Sequence, residues 1–248
     1  MSGDSTRRVV VVTGAALGIG RATALAFGRA MDFVYLLDVD SDGGTDVAQQ
    51  IEHSRFIRCD VTSEPEVADA MAQIGEESGR VDVLVNNAGG FPSQRNLEDT
   101  TLDEWRQIVD LNLTSVFVTT RAALPLLRRS SAGRIVNMGS LAGQTANYRT
   151  APPYAAAKAG VHALTRVMAW ELAGDGITVN ALAPSAVMTD RIEKLRDETE
   201  RQATAATIPL GRYQDPDEVA EWVLILASAE SGFMTGQTVS VNGGRFMT

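Results

Sequence analysis

Val9-Val10-Val11-Val12-Thr13-Gly14-Ala15-Ala16-Leu17-Gly18-Ile19-Gly20 is the stretch that decides the fold. Its first five residues are apolar or β-branched almost without a break, which predicts a short strand covered on both faces, as in a parallel sheet. The glycines that follow are spaced G-x-x-x-G-x-G. They permit a tight turn and let backbone amides approach a ligand. Helical periodicity over Thr23–Arg29 comes next, and a second apolar strand, Phe33–Leu37, ends at Asp38. A pyrophosphate is expected at the N-terminus of that helix, where free amides and the helix dipole favour negative charge.

Asp38 stands 18 residues beyond Gly20, at a strand's carboxyl end. A carboxylate there can accept hydrogen bonds from adenosine ribose hydroxyls and would repel a 2′-phosphate. Neither Ala15 nor Ala16 offers a cation, and Val39 follows Asp38, so NAD is the expected cofactor. Read more plainly, Asp38 is a turn or helix-capping carboxylate. The turn has no G-K-[ST] continuation, which argues against phosphate transfer.

Outward from this unit the alternation continues. Helices are expected at Thr45–Glu52, Glu64–Glu77, Leu102–Leu113 running on through Ser115–Leu127, and Tyr154–Leu172. Strands are expected at Arg55–Cys59, Val81–Asn86, Gly133–Met138 and Ile177–Leu182. This order predicts a doubly wound α/β Rossmann fold with a mainly parallel sheet and helices on both faces. Thr189–Gln202 reads as a charged helix, Ile208–Pro216 as turn-prone, Glu218–Ala227 as an amphipathic helix and Gln237–Val241 as the last strand. With no linker or repeat, residues 1–248 are expected to form one domain. The charged stretch suggests a lid over a pocket at 189–208, or else a solvated surface helix.

Composition narrows the classes. The 248 residues suffice for a full core, and 44% are hydrophobic. Asp and Glu number 31 against 22 Lys and Arg, a net charge of −9, which argues against nucleic-acid binding because phosphate contacts need clustered cations. Cys59 is the single cysteine, so an internal disulfide is impossible and a reducing compartment is expected. Met1–Arg8 is polar, and no apolar run is long enough to span a bilayer, which makes cytoplasmic residence the expectation.

The chemistry is carried by Tyr154-Ala155-Ala156-Ala157-Lys158, with Ser140 upstream. Tyrosine and lysine one helical turn apart share a face. The lysine's charge would favour tyrosinate and ease proton movement at the phenol oxygen. His53 and His162 have no local cysteine or acidic ligand pattern, and a structural or solvent-facing role is expected for both.

Thr13–Gly20, Asp60, Asn86-Asn87-Ala88-Gly89, Asn112, Ser140, Tyr154 with Lys158, and Pro184 through Thr189 come in an order that resembles the short-chain dehydrogenase/reductase family over nearly the whole chain. The likeness points to the neighbourhood of 3-oxoacyl-carrier-protein reductases, polyol dehydrogenases and hydroxysteroid dehydrogenases. It implies Tyr154 as the acid–base residue, Ser140 on the same substrate oxygen, Lys158 beneath the phenol and on the nicotinamide ribose, and Asn112 on a water path to the lysine. No metal is implied. Cofactor contacts are implied for Gly14, Leu17, Gly18, Ile19, Asp38, Asp60, Val61, Asn87, Ala88, Gly89, Tyr154, Lys158, Pro184, Val187 and Thr189, with Asn86 stabilising the sheet.

The substrate pocket is expected at Phe91, Gln94, Leu141, Gln144, Tyr148, Arg149 and Met188. A homotetramer is implied, with interfaces on Leu102–Leu127 with Tyr154–Leu172 and at the chain's end. The chain departs from the family at Pro184-Ser185, commonly Pro-Gly, and in the 14-residue spacing from Ser140 to Tyr154, one more than in many relatives. The expected activity is NAD(H)-dependent interconversion of a small-molecule secondary alcohol and ketone, without nucleic acid or membrane. The alternatives are an NADPH-dependent 3-oxoacyl thioester reductase and a dinucleotide-binding sensor or scaffold without turnover.

Overall fold

The computed structural model describes residues 7–90, 95–146 and 150–247. Seven strands, β1 (Val9–Thr13), β2 (Phe33–Asp38), β3 (Ser54–Arg58), β4 (Val83–Asn86), β5 (Arg134–Met138), β6 (Thr178–Pro184) and β7 (Thr238–Val241), form one sheet ordered β3-β2-β1-β4-β5-β6-β7. Every pairing is parallel. The helices are α1 (Gly18–Arg29), α2 (Ser41–Ala48), α3 (Glu64–Ser78), α4 (Leu102–Val109), α5 (Ser115–Leu127), α6 (Pro152–Leu172), α7 (Asp190–Leu195), α8 (Glu198–Ala205) and α9 (Pro216–Leu226).

The all-apolar β1 is explained by its two covers. Val9 and Val11 face a core with Val67, Ile74, Leu127 and Val161. Val10 and Val12 face the other core, with Phe27, Val219 and Val223. Fully burying each such aliphatic contributes about 1.5–3 kcal/mol, and alternation would leave one cover without a partner. No helix among the described residues is long and apolar enough to cross a membrane.

Three elements differ from expectation. The second helix runs Ser41–Ala48 rather than Thr45–Glu52, because the Asp40 carboxylate caps it by accepting the Gly43 amide at 3.0 Å. The pair Gly43-Gly44 hides this helix in the sequence. A Cβ on Gly44 would fall 2.1 Å from the Phe56 ring, so packing against β3 sets a poor helix former there. The expected continuous helix from Leu102 to Leu127 carries one π turn, Asp110–Thr114. The single charged helix expected at Thr189–Gln202 is two. Arg196 is extended (φ −121°, ψ 132°), and the Asp197 carboxylate starts α8 by accepting the Glu200 amide at 2.8 Å.

From β1 the chain winds outward to β2 and β3, then returns across to β4, β5 and β6. The connections leaving β1 and β4 therefore diverge, opening a crevice beyond the strands' carboxyl ends.

Candidate active site

A cleft of about 800 Å³ occupies that crevice. At one end lies the glycine turn. Gly14 has φ +63°, and its amide donates to the Leu37 carbonyl at 2.8 Å. A Cβ there would lie 2.8 Å from the Ala88 Cα, and one on Gly20 only 1.9 Å from the Gly14 carbonyl oxygen. The Asn87 amide nitrogen locks this packing by donating to the Thr13 and Gly14 carbonyls at 2.9 and 3.0 Å.

The first turn of α1 has neither a capping side chain nor an acidic residue. By contrast Ser63, Thr101 and Asp215 cap α3, α4 and α9. An uncapped helix N-terminus behind a backbone cradle fits the pyrophosphate of a dinucleotide. All the residues expected at the cofactor line this one cleft, from Gly14, Leu17, Gly18 and Ile19 through Asp38, Asp60 and Val61 to Pro184, Val187 and Thr189. Asn86 faces away from it, donating to Thr120 and Asn137 inside the sheet.

At the other end are Ser140, Tyr154 and Lys158. Ser140 leaves β5 and caps the short 3₁₀ turn Leu141–Gly143, its Oγ accepting the Ala142 amide at 3.1 Å. Tyr154 lies in the first turn of α6, which Pro152 and Pro153 start. Burial raises the Tyr154 phenol, while a hydrogen bond with Ser140 and the positive charge of Arg191 pull it down. The Lys158 ammonium stands 5.6 Å from the Tyr154 ring centroid and donates to the Met138 carbonyl at 2.7 Å. Desolvation lowers it to about 8.

Asn112 sits fully buried in the π turn, outside the cleft wall. Its Oδ1 accepts the Gly90 amide at 2.8 Å, and its Nδ2 donates to the carbonyls of Gly90 (2.7 Å) and Ile108 (2.9 Å). The wider turn leaves the Ile108 carbonyl for the side chain, a deformation common at functional sites. Gly89 is small for a reason: a Cβ would meet the Asn112 Oδ1 at 2.7 Å and the Lys158 Nζ at 3.3 Å.

The expected substrate wall is only partly in place. Leu141 lines the cleft, whereas Met188 is absent from its wall. Gln144 does not face it either. Its amide exchanges hydrogen bonds with the Ser240 hydroxyl on β7 at 2.9 and 3.0 Å. Phe91, Gln94, Tyr148 and Arg149 lie outside the described residues. Sequence reasoning missed Arg191, Arg196, Tyr213 and Arg245, all on the wall. The first two lie in the charged stretch already marked as a lid, but nothing local marked Tyr213 or Arg245. Ser185 has no positive φ, so the departure from Pro-Gly is accommodated, and its hydroxyl donates to the Asn242 carbonyl at 3.1 Å.

Comparison with known proteins agrees with this geometry. Residues 14–245 match the family model described as enoyl-(acyl carrier protein) reductase. The 3-oxoacyl-[acyl-carrier-protein] reductase FabG of Vibrio harveyi is 37% identical over 97% of this chain and 98% of its own. The acetoacetyl-CoA reductase of Shinella zoogloeoides is 37% identical over 96% of this chain and 98% of its own. The Pseudomonas aeruginosa RhlG/NADP active-site complex superposes with a TM-score of 0.91 at 34% identity, covering 96% of each chain.

The last of these overturns the expectation of NAD: a relative of the same fold holds NADP. The inference failed at Asp38. Its Oδ2 accepts the Ala16 amide at 2.9 Å and its Oδ1 the Asp40 amide at 3.0 Å. The carboxylate therefore closes the turn between β2 and α2, and its presence does not specify the ribose.

Proposed function

The chain belongs to the short-chain dehydrogenase/reductase family and is an oxidoreductase of its dinucleotide-dependent hydride-transfer kind, and on that premise we propose that it reduces the keto group of a 3-oxoacyl thioester with NADPH. The observation that carries the reading is one cleft joining an uncapped α1 N-terminus to Ser140, Tyr154 and Lys158. The substrate class is supported by near-full-length relatives named for 3-oxoacyl and acetoacetyl thioesters.

When bound, the dinucleotide supplies a hydride to the carbonyl carbon. The glycine turn and the α1 amides would hold its pyrophosphate. Ser140 donates a hydrogen bond to the substrate oxygen and fixes its direction. Tyr154 gives its phenolic proton to that oxygen as negative charge develops there, so the ketone gains one hydride and one proton to become an alcohol. Lys158, with its pKa near 8, holds a proton beneath the phenol and stabilises the tyrosinate left behind.

The helices α7 and α8 act as a lid in this reading, since Arg191 reaches Tyr154 electrostatically from α7. Assembly as a homotetramer belongs to it too, supported by exposed Phe117, Val167 and Trp170 on α5 and α6 and by Ile225 and Phe233 near the chain's end. The enzyme is proposed to work in the cytoplasm.

The test is acetoacetyl-CoA reduction followed through NADPH and NADH oxidation, beside a sugar-ketone panel, with Tyr154→Phe as control. Thioester-dependent NADPH oxidation lost in the variant is expected. Turnover of sugar ketones alone would refute the substrate class, and dinucleotide binding without any turnover would favour a sensor.

A further inference from the structure

We propose that His162 is a positioning residue for the catalytic serine, clamping the Ser140–Gly143 turn to the helix that carries Tyr154 and Lys158. The proposal rests on the Ser140–Tyr154 chemistry above but not on the thioester as substrate.

His162 follows Lys158 by one helical turn and Tyr154 by two, so the three share one face of α6. It is 5% exposed. The Ser140 amide donates to its Nε2 at 3.4 Å. A nitrogen that accepts carries no proton, so the proton of the neutral ring is on Nδ1. At the other end of the turn Gly143 lies against the α6 backbone, where a Cβ would fall 2.6 Å from the Lys158 carbonyl carbon. The turn is thus fixed to α6 at both ends, by the imidazole at Ser140 and by backbone packing at Gly143.

Gly139 makes the approach possible, because a Cβ there would lie 2.3 Å from Nε2. Burial, together with the charges of Lys158 and Arg166, keeps the ring neutral by lowering it to about 4, so the accepting nitrogen persists at working pH.

Two neighbouring contacts extend the clamp into a register. The Asn137 side-chain amide donates to the Thr165 hydroxyl at 2.9 Å, and the Lys158 ammonium donates to the Met138 carbonyl at 2.7 Å. Asn137, Met138 and Ser140 are therefore keyed in turn to Thr165, Lys158 and His162. The distance between the Ser140 and Tyr154 oxygens is then set across this seam.

The experiment is a double-mutant cycle of His162→Leu with Ser140→Ala, using the ketone the wild type reduces fastest. A residue acting through Ser140 loses its effect once Ser140 is gone. With Ser140 present, His162→Leu is expected to lower kcat roughly tenfold to a hundredfold, the scale of small misplacements, with dinucleotide affinity within about twofold. In the Ser140→Ala background the further loss should be under about twofold.

His162→Gln, whose Oε1 can accept the Ser140 amide, should recover part of kcat and serves if the leucine variant does not fold. Exchange of the Ser140 amide, read by NMR without substrate, should quicken in His162→Leu and slow again in His162→Gln. Equal losses in both backgrounds, or unchanged amide exchange, would overturn the proposal. Failure of acetoacetyl-CoA alone overturns only the thioester reading. If no ketone is turned over, the amide exchange still decides the clamp.

Discussion

Lys158→Met should change how stability depends on pH, and the size of the change follows from the burial of one ammonium. Desolvation lowers Lys158 from 10.5 to about 8, with the residue 3% exposed. At about 1.4 kcal/mol per pH unit that corresponds to about 3 kcal/mol. The direction comes from which state holds the proton. Below pH 8 the folded and unfolded chains both carry the charge, and the fold bears the full cost of burying it. Between pH 8 and 10.5 the folded lysine is neutral while the unfolded one remains protonated, so stability rises with pH. Above 10.5 the cost is gone.

Methionine is of similar length and never charged. The hydrogen bond lost at the Met138 carbonyl costs the variant about the same at every pH, so the informative quantity is the difference between the two proteins. Relative to Lys158→Met, the wild type should gain about 3 kcal/mol between pH 7 and 10.5. Cys59 and Tyr35, which burial pushes up to about 11 and about 12, titrate in both proteins and cancel. Urea unfolding of both at pH 7, 8, 9 and 10 measures the gain. Stability curves that stay parallel across this range would refute the buried-ammonium argument.

Tyr154→Phe should lower kcat by about 10²–10⁴-fold, the usual worth of a placed acid–base group, with dinucleotide binding by fluorescence unchanged. Gly20→Ala puts a methyl 1.9 Å from the Gly14 carbonyl oxygen, and a calorimetric loss of about 1–3 kcal/mol, or several degrees in Tm, is expected; an unaltered Tm would contradict the close packing of the turn. Asp38→Ala removes the acceptors of the Ala16 and Asp40 amides, so urea unfolding should show a loss of about 1–3 kcal/mol while the ratio of kcat/KM for NADPH over NADH stays within about threefold, and an unchanged unfolding midpoint would count against the turn-closing role. Hydrogen exchange across 190–205 should slow when NADPH is bound, if α7 and α8 close over the cleft; equal exchange with and without it would argue against a lid.

Much of the site was legible because its signals are local. The Val9–Gly20 stretch contains a strand, a turn and a helix start, and each needs only residues a few positions apart. Tyr154 and Lys158 share a face by helical spacing alone. The π turn at Asp110–Thr114 was not legible, since it depends on Gly90 meeting Asn112 from another segment. Nor was α2, whose glycines make sense only against the Phe56 ring. Gln144 read as a substrate contact because its partner, Ser240, lies far along the chain. Asp38 misled for a related reason: its residue type suggested a ribose partner, while its two backbone partners come from the turn it closes.

Order and spacing along the chain therefore determined the sheet, the glycine cradle and the shared helix face of Tyr154 and Lys158, because strand burial, helix periodicity and positive φ act over a few residues. Tertiary structure alone decided which side chains tune them. Arg191 reaches Tyr154 from α7, and His162 meets the Ser140 amide across the gap between β5 and α6. Hydrogen bonds and desolvation depend on distances of a few ångströms, and those distances exist only once the sheet has brought separate segments together.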